Sequence, residues 1–250
     1  MTLSRILQVF LAVSFPLYHV CAERFESGES QTTLLELYTS EGCSSCPPAD
    51  ARLGRLKNSD RLWRDFVPLA FHVDYWNRHG WLDRFSAKKF AARQMLYAAN
   101  WKGESVYTLA FVLNGREWRQ WSQASEPPTS SASSAGNLSA TLNNNQQVQI
   151  DFKPAVTGEW DAHLALLGFE MSSQVTRGEN SGRNLQHDFV VLNLQNASLR
   201  NNGNSPRAAV SLEKSDLTKD SRLALAVWVT SPGDPKPVQA TGGWLSPQEK

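Results

Sequence analysis

The chain has 250 residues, 41% hydrophobic and 20% charged, with a formal net charge of +1. This is the profile of a folded globular chain, long enough for one large domain or two small ones and for a core that needs no disulfide staples. A charge so close to neutral argues against a nucleic-acid binder and against a polybasic membrane-surface patch.

Residues 1–22 read as a cleaved secretory signal. Arg5 gives the positive start, Ile6 to Leu17 is mostly apolar, and Val20-Cys21-Ala22 precedes a cut ahead of Glu23. The apolar stretch is shorter than the roughly 20 residues of a spanning helix. No other stretch is long enough, so no stable membrane span is expected after cleavage, and the expected location is secreted or periplasmic. Cleavage leaves 24 basic and 24 acidic side chains and two cysteines, Cys43 and Cys46, in a compartment that permits disulfides.

Thr33 to Tyr38 is a short apolar run suited to a buried strand. Pro47 and Pro48 suit a first helical turn, so a helix is predicted from near Cys46 to about Lys57. Asp65 to Val73 reads as the next strand, and Ser86 to Trp101 as a second helix with Ala92, Leu96 and Ala99 on one face. Asn114-Gly115 between two extended runs predicts a hairpin. Glu126 to Asn145 is rich in Ser, Pro, Asn and Ala and reads as a linker or insertion, with a weak helical pattern at Leu138 to Leu142. Beyond it, short apolar runs separated by turn formers predict antiparallel strands in a small sandwich. The predicted fold is α/β: a thioredoxin-like domain over 23–125, a linker over 126–147, and a β-rich, sandwich-like domain or extension over 148–250.

The chemistry centres on Cys43-Ser44-Ser45-Cys46, between a strand and a helix start. Unpaired amides and the helix dipole favour a thiolate there, and the thiolate is the form that attacks disulfides. Cys43, expected to be the more exposed, is assigned attack and Cys46 resolution. Ser44 and Ser45 keep the pair accessible, and Pro47 opens the helix. A metal-binding alternative holds copper or zinc with the two cysteines and His72, His79 or His187, although zinc usually takes four ligands and there is no second cysteine pair. A third alternative is an interaction protein with an inert disulfide.

Leu35 to Asp50 (LELYTSEGCSSCPPAD) resembles the DUF1223 family of secreted thioredoxin-like proteins. Phe71 to Trp76, Ala92 to Tyr97 and Arg177 to Arg183 fit the same family, so the resemblance spans most of residues 33–195. It implies fold and compartment more than substrate. Where the family usually has Val-Tyr-Thr-Pro with a cis proline lining the groove, this chain has Val106-Tyr107-Thr108-Leu109. A cis bond before a non-proline residue costs about 3–4 kcal/mol, so Thr108-Leu109 is expected to be trans. Asp188-Phe189 also departs from the family after His187, which puts a site role for that region in doubt.

His72 and Asp74 follow the second strand on one face, as proton handlers near the thiols, as a metal contact, or as a hydrogen-bonded pair fixing the next turn. Trp76, Trp81 and Trp101 are candidates to rim a groove or to fill core. Arg177, Glu179, Asn180 and Arg183 form a polar loop that is a candidate to pack near the cysteines. The expected partners are protein or small-molecule thiols and disulfides, and no cofactor is expected.

Overall fold

A computed structural model describes residues 22–128, 133–143, 145–201, 203, 205–213, 216–218 and 221–247. The predicted signal segment lies outside the described residues, apart from Ala22.

The first half contains β1 (Glu23–Glu26), β2 (Thr33–Thr39), α1 (Pro47–Arg55), β3 (Phe66–His72), α2 (Lys88–Asn100), β4 (Ala110–Leu113) and β5 (Arg116–Glu117). The second half adds β6 (Gly136–Leu142), β7 (Gln147–Pro154), β8 (Trp160–Phe169), β9 (Met171–Gln174), β10 (Asn184–His187), β11 (Val190–Asn201), β12 (Pro206–Ser211), β13 (Arg222–Thr230) and β14 (Pro237–Trp244).

This architecture corrects the α/β thioredoxin-like prediction. The chain is mostly β, 44% strand and 16% helix, and among the described residues two α-helices stand against a mixed sheet of twelve strands. β2 and β3 do pair in parallel, with Thr33 opposite Phe66 and Thr39 opposite His72, and β4 lies antiparallel to β2. The far edge of β3, however, is taken by β11 through Val190 and Ala70. From there the sheet continues into β8, β13 and β14, and the distal end of β11 turns into β12, β7, β6 and β1. Local periodicity reveals each strand but not which partner claims a free sheet edge.

β8 and β13 are buried on both faces, which explains their nearly unbroken apolar sequences. Ala165, Leu167, Phe169, Ala224, Ala226 and Trp228 face the core built by β2, β3 and the two helices. Their alternates Leu164, Leu166, Leu225 and Val227 face a second core shared with β6, β7 and β12. Leu138 to Leu142, predicted as weakly helical, lies in β6. Its alternating buried Leu138 and Ala140 fill that second core.

The hairpin forms where predicted. Asn114 and Gly115 both take positive φ, 46° and 79°, as a tight turn between right-twisted strands requires. Helix α2 buries a different face from the one predicted. Phe90, Ala91, Arg93, Gln94 and Tyr97 point inward, whereas Leu96 is 53% exposed. The reason is polar: Arg93 and Gln94 have specific buried partners, and these set the rotation of the helix.

His163 on β8, on the face that carries Trp228, makes the fold sensitive to pH. Its ring stacks on Trp228, its Nδ1 lies 2.8 Å from Asn196 Oδ1, and its Nε2 lies 3.0 Å from the Thr230 hydroxyl. Burial, with the Arg93 charge adding to it, lowers the pKa to about 4. The folded state therefore holds a neutral ring, while the unfolded chain binds a proton below about pH 6.5. The stability from the neutral ring is complete above that value and is lost as pH falls towards 4. We expect the stability advantage of the wild type over His163→Gln to shrink by about 2 kcal/mol between pH 7 and pH 4, after allowing for partial exposure. Paired urea melts at several pH values check this, and a gap independent of pH would reject it.

Candidate functional site

Cys43 and Cys46 form a disulfide with their Cα atoms 5.4 Å apart. Cys46 is the N-cap of α1 and Pro47 is the first helical residue. The predicted exposure of Cys43 is corrected: Cys43 is 1% exposed and Cys46 0%. Ser44 and Ser45 are exposed, so the bridge lies just beneath the surface.

The cover is the polar loop singled out in the sequence. Asn180 Nδ2 donates to the carbonyls of Glu41 and Cys43, both at 2.9 Å, and the Ser44 amide donates to Glu179 Oε2 at 3.0 Å. The Ser44 hydroxyl first, and that amide second, hold the Glu179 carboxyl below its ordinary range. Arg183 Nη1 in turn donates to Asn180 Oδ1. Arg177 is exposed on the same loop.

The predicted thiolate-stabilising amides are largely absent. Pro47 and Pro48 have no N–H, and the Ala49 and Asp50 amides both donate to the Cys46 carbonyl. What remains next to sulfur is the Ser45 hydroxyl, 3.3 Å from Cys43 Sγ.

Beyond the bridge, at the carboxyl ends of β2 and β3, sits a buried cluster of Glu41, Asp50, His72, Asp83 and His187. His72 pairs with Asp83, Nδ1 to Oδ2 at 2.7 Å, and not with Asp74. The chain turns directly after β3, where the Asp74 carbonyl accepts the Asn77 amide, and it returns with Asp83. Asp83 is anchored by the amides of Glu41 and Phe85. Burial pushes the His72 imidazole down, but Asp83 outweighs it and the pKa is raised. Burial pushes Asp83 up, His72 and the two amides outweigh that, and its carboxyl is lowered.

His187, at the end of β10, is the residue that sequence reasoning set aside. Its Nε2 lies 3.3 Å from Glu41 Oε1 and its Nδ1 4.0 Å from Asp50 Oδ2. Its ring meets His72 edge-on with centroids 4.9 Å apart. Asp50 takes a hydrogen bond from the Thr39 hydroxyl at 3.0 Å; burial raises its pKa despite the two histidines. Glu41 is lowered overall: burial raises it, but the His187 imidazole, the Ser173 hydroxyl and the Trp81 indole prevail. Asp188, the departure from the family pattern, pairs with Lys57 at 2.9 Å and so ties the β10 end to the turn that follows α1.

Trp81 thus belongs to the cluster, and Trp76 donates from Nε1 to the Thr108 hydroxyl at 2.6 Å. Trp101 lies away from it, stacked on Tyr97. The Thr108-Leu109 peptide is cis, correcting the expectation of trans. Contacts on both sides fix the segment: the Tyr107 carbonyl accepts from Gln94 Nε2 at 2.7 Å, and Leu109 packs on the main core. The only sequence signal for the missed carboxylates was that Glu41 and Asp50 flank the cysteine motif. Asp83 had none.

Fold and site together define a mostly β protein with a covered disulfide above a buried histidine–carboxylate cluster. The family described as protein of unknown function (DUF1223) matches residues 34–230, and the chain belongs to it. No curated protein matches. Two solved structures are similar in fold. Protein AGR_C_4864 from Agrobacterium tumefaciens is 24% identical with a TM-score of 0.62, the match covering 89% of this chain and 98% of that one. HBP35 of Porphyromonas gingivalis is 13% identical with a TM-score of 0.59, covering 88% and 76%. Among the described residues no helix is long and apolar enough to cross a membrane.

Proposed function

We propose that the protein is a thiol–disulfide oxidoreductase of an oxidising, extracytosolic compartment, with Cys43–Cys46 as its two-electron pair. The observation that carries this reading is the bridge itself, closing a four-residue turn at a helix start beside two exposed serines. As a staple, so short a loop contributes only about 2 kcal/mol by the chain-entropy model, which a core of this size hardly needs.

In the exchange a partner thiolate attacks Cys43 Sγ, the Cys43–Cys46 bond breaks, and Cys46 leaves as a thiolate. A second partner thiolate attacks the partner sulfur of the mixed disulfide and releases Cys43. The two cysteine thiolates take protons from solvent. The partner is oxidised to a disulfide and the protein is reduced by two electrons; the reverse direction follows the same steps. Since both sulfurs are covered, the partner is a small thiol or an extended cysteine-bearing segment that displaces the loop holding Glu179 and Asn180.

Equilibration of the folded chain in glutathione or dithiothreitol buffers, followed by thiol alkylation and mass measurement, tests the reading. Reversible titration between about −120 and −270 mV is expected. A bridge that resists reduction while the chain stays folded, or one below about −300 mV as structural disulfides are, would reject it.

A further inference from the structure

The histidine–carboxylate cluster has a feature that thiol exchange does not use. One donor atom each from Asp50, His72 and His187 lies within 4.8 Å of the other two, and all three residues are buried. They come from α1, the end of β3 and the end of β10. His72 is oriented by Asp83 through Nδ1, which leaves Nε2 buried without a protein partner. His187 has Glu41 beside Nε2 and turns Nδ1 towards Asp50, and neither nitrogen makes a well-formed hydrogen bond. Each imidazole thus has a carboxylate on one side and faces the cluster centre with the other. Imidazoles that bind metals are arranged in this way, because the outer carboxylate fixes the ring and makes the inner nitrogen a better donor.

The charge points the same way. Glu41, Asp50 and Asp83 place three carboxyl groups in the cluster, and no Lys or Arg bonds to any of them among the described residues. Protonating both rings would supply positive charge, but it would turn the inner N–H groups of two adjacent buried rings towards the one Asp50 carboxylate, which lies 4.0 Å from His187 Nδ1. A cation on the nitrogen lone pairs supplies charge and satisfies those nitrogens at once.

We propose that Asp50, His72 and His187 bind one borderline divalent transition-metal ion, zinc first among them. Two nitrogens and one carboxylate oxygen suit that class and suit calcium or magnesium poorly. Around tetrahedral zinc, bonds of about 2.0–2.1 Å set the donors roughly 3.3 Å apart, so side-chain shifts of about an ångström close the site. The cysteines take no part.

The full chain, stripped with a chelator, is titrated with Zn2+ by calorimetry and with Co2+ by visible absorption. One ion per chain is expected, with tetrahedral cobalt bands and a melting temperature raised by about 5 °C at a hundredfold excess over Kd. His187→Ala should weaken binding on the order of a hundredfold or more, and Asp83→Asn, which removes only an orienting carboxylate, about tenfold. The Cys43→Ser/Cys46→Ser double variant and His79→Ala should bind as the wild type does. Folded wild type that takes up neither ion stoichiometrically overturns the proposal. So does binding lost with the cysteines but kept in Asp83→Asn at full strength. The Asp83→Asn result decides the matter if His187→Ala does not fold.

Discussion

Replacing Arg93 by alanine is expected to cost about 3–5 kcal/mol, because it strands a buried carboxylate. Glu36 sits in β2 with no exposure. Arg93 grips it with both arms, Nε to Oε2 at 2.8 Å and Nη2 to Oε1 at 2.9 Å. Tyr38 and Tyr97 donate their hydroxyls to the same carboxylate at 2.8 and 2.6 Å. The guanidinium lies among the rings of Trp228, Tyr97 and Phe71, so no water reaches Glu36 from that side once the arm is cut. Burial lowers the tendency of Arg93 to stay charged, but Glu36 more than offsets it and the pKa is raised. Burial likewise raises both tyrosines, which remain protonated donors. For a chain of this size the loss corresponds to a melting temperature lower by roughly 10 °C. The double variant Glu36→Leu/Arg93→Met should recover most of it, since an apolar pair leaves no orphan charge. Calorimetry on the three variants checks the claim. A loss in Arg93→Ala below about 1 kcal/mol, the range of an exposed ion pair, would sink it.

That ion pair also explains where the sequence was readable and where it was not. The turn at Asn114-Gly115 was legible because its conformation is written in the two residues that make it. The strands of the second half were legible because both faces of β8 and β13 are apolar and turn formers bound them. The buried face of α2 was not. A period-3.6 pattern assigns arginine and glutamine to solvent, and only their partners, Glu36 in β2 for Arg93 and the Tyr107 carbonyl for Gln94, reverse that assignment. The sheet misled for a related reason. β2, α1 and β3 form the local unit that the sequence implies, but the edge of β3 is claimed by a strand more than a hundred residues downstream, and no local signal encodes that pairing. The site divides in the same way. The cysteines announce themselves by spacing. The cluster beneath them joins Glu41 and Asp50 near the motif, His72 at a strand end, Asp83 after a turn and His187 from the second half. Only the crossing of β11 onto β3 brings the last of these in.

The cysteines themselves should differ sharply in what they trap. In Cys46→Ser, oxidised glutathione is expected to load one glutathione per chain on Cys43, and the adduct should persist because no second thiol resolves it. In Cys43→Ser, Cys46 should stay free over the same time. The asymmetry follows from position. Cys43 Sγ adjoins the exposed Ser45 hydroxyl, whereas Cys46 begins α1 with its carbonyl bound by two helix amides and its side chain fully enclosed. The loop over the bridge should govern the rate. Asn180→Ala removes both hydrogen bonds to the carbonyls of Glu41 and Cys43, together worth about 2 kcal/mol, so reduction of the wild-type bridge should quicken by tenfold or more in that variant. Stopped alkylation time courses of the three variants measure these rates. Equal loading of Cys43 and Cys46, or an Asn180→Ala bridge reduced no faster than the wild type, would mean that the loop neither covers nor selects the reactive sulfur.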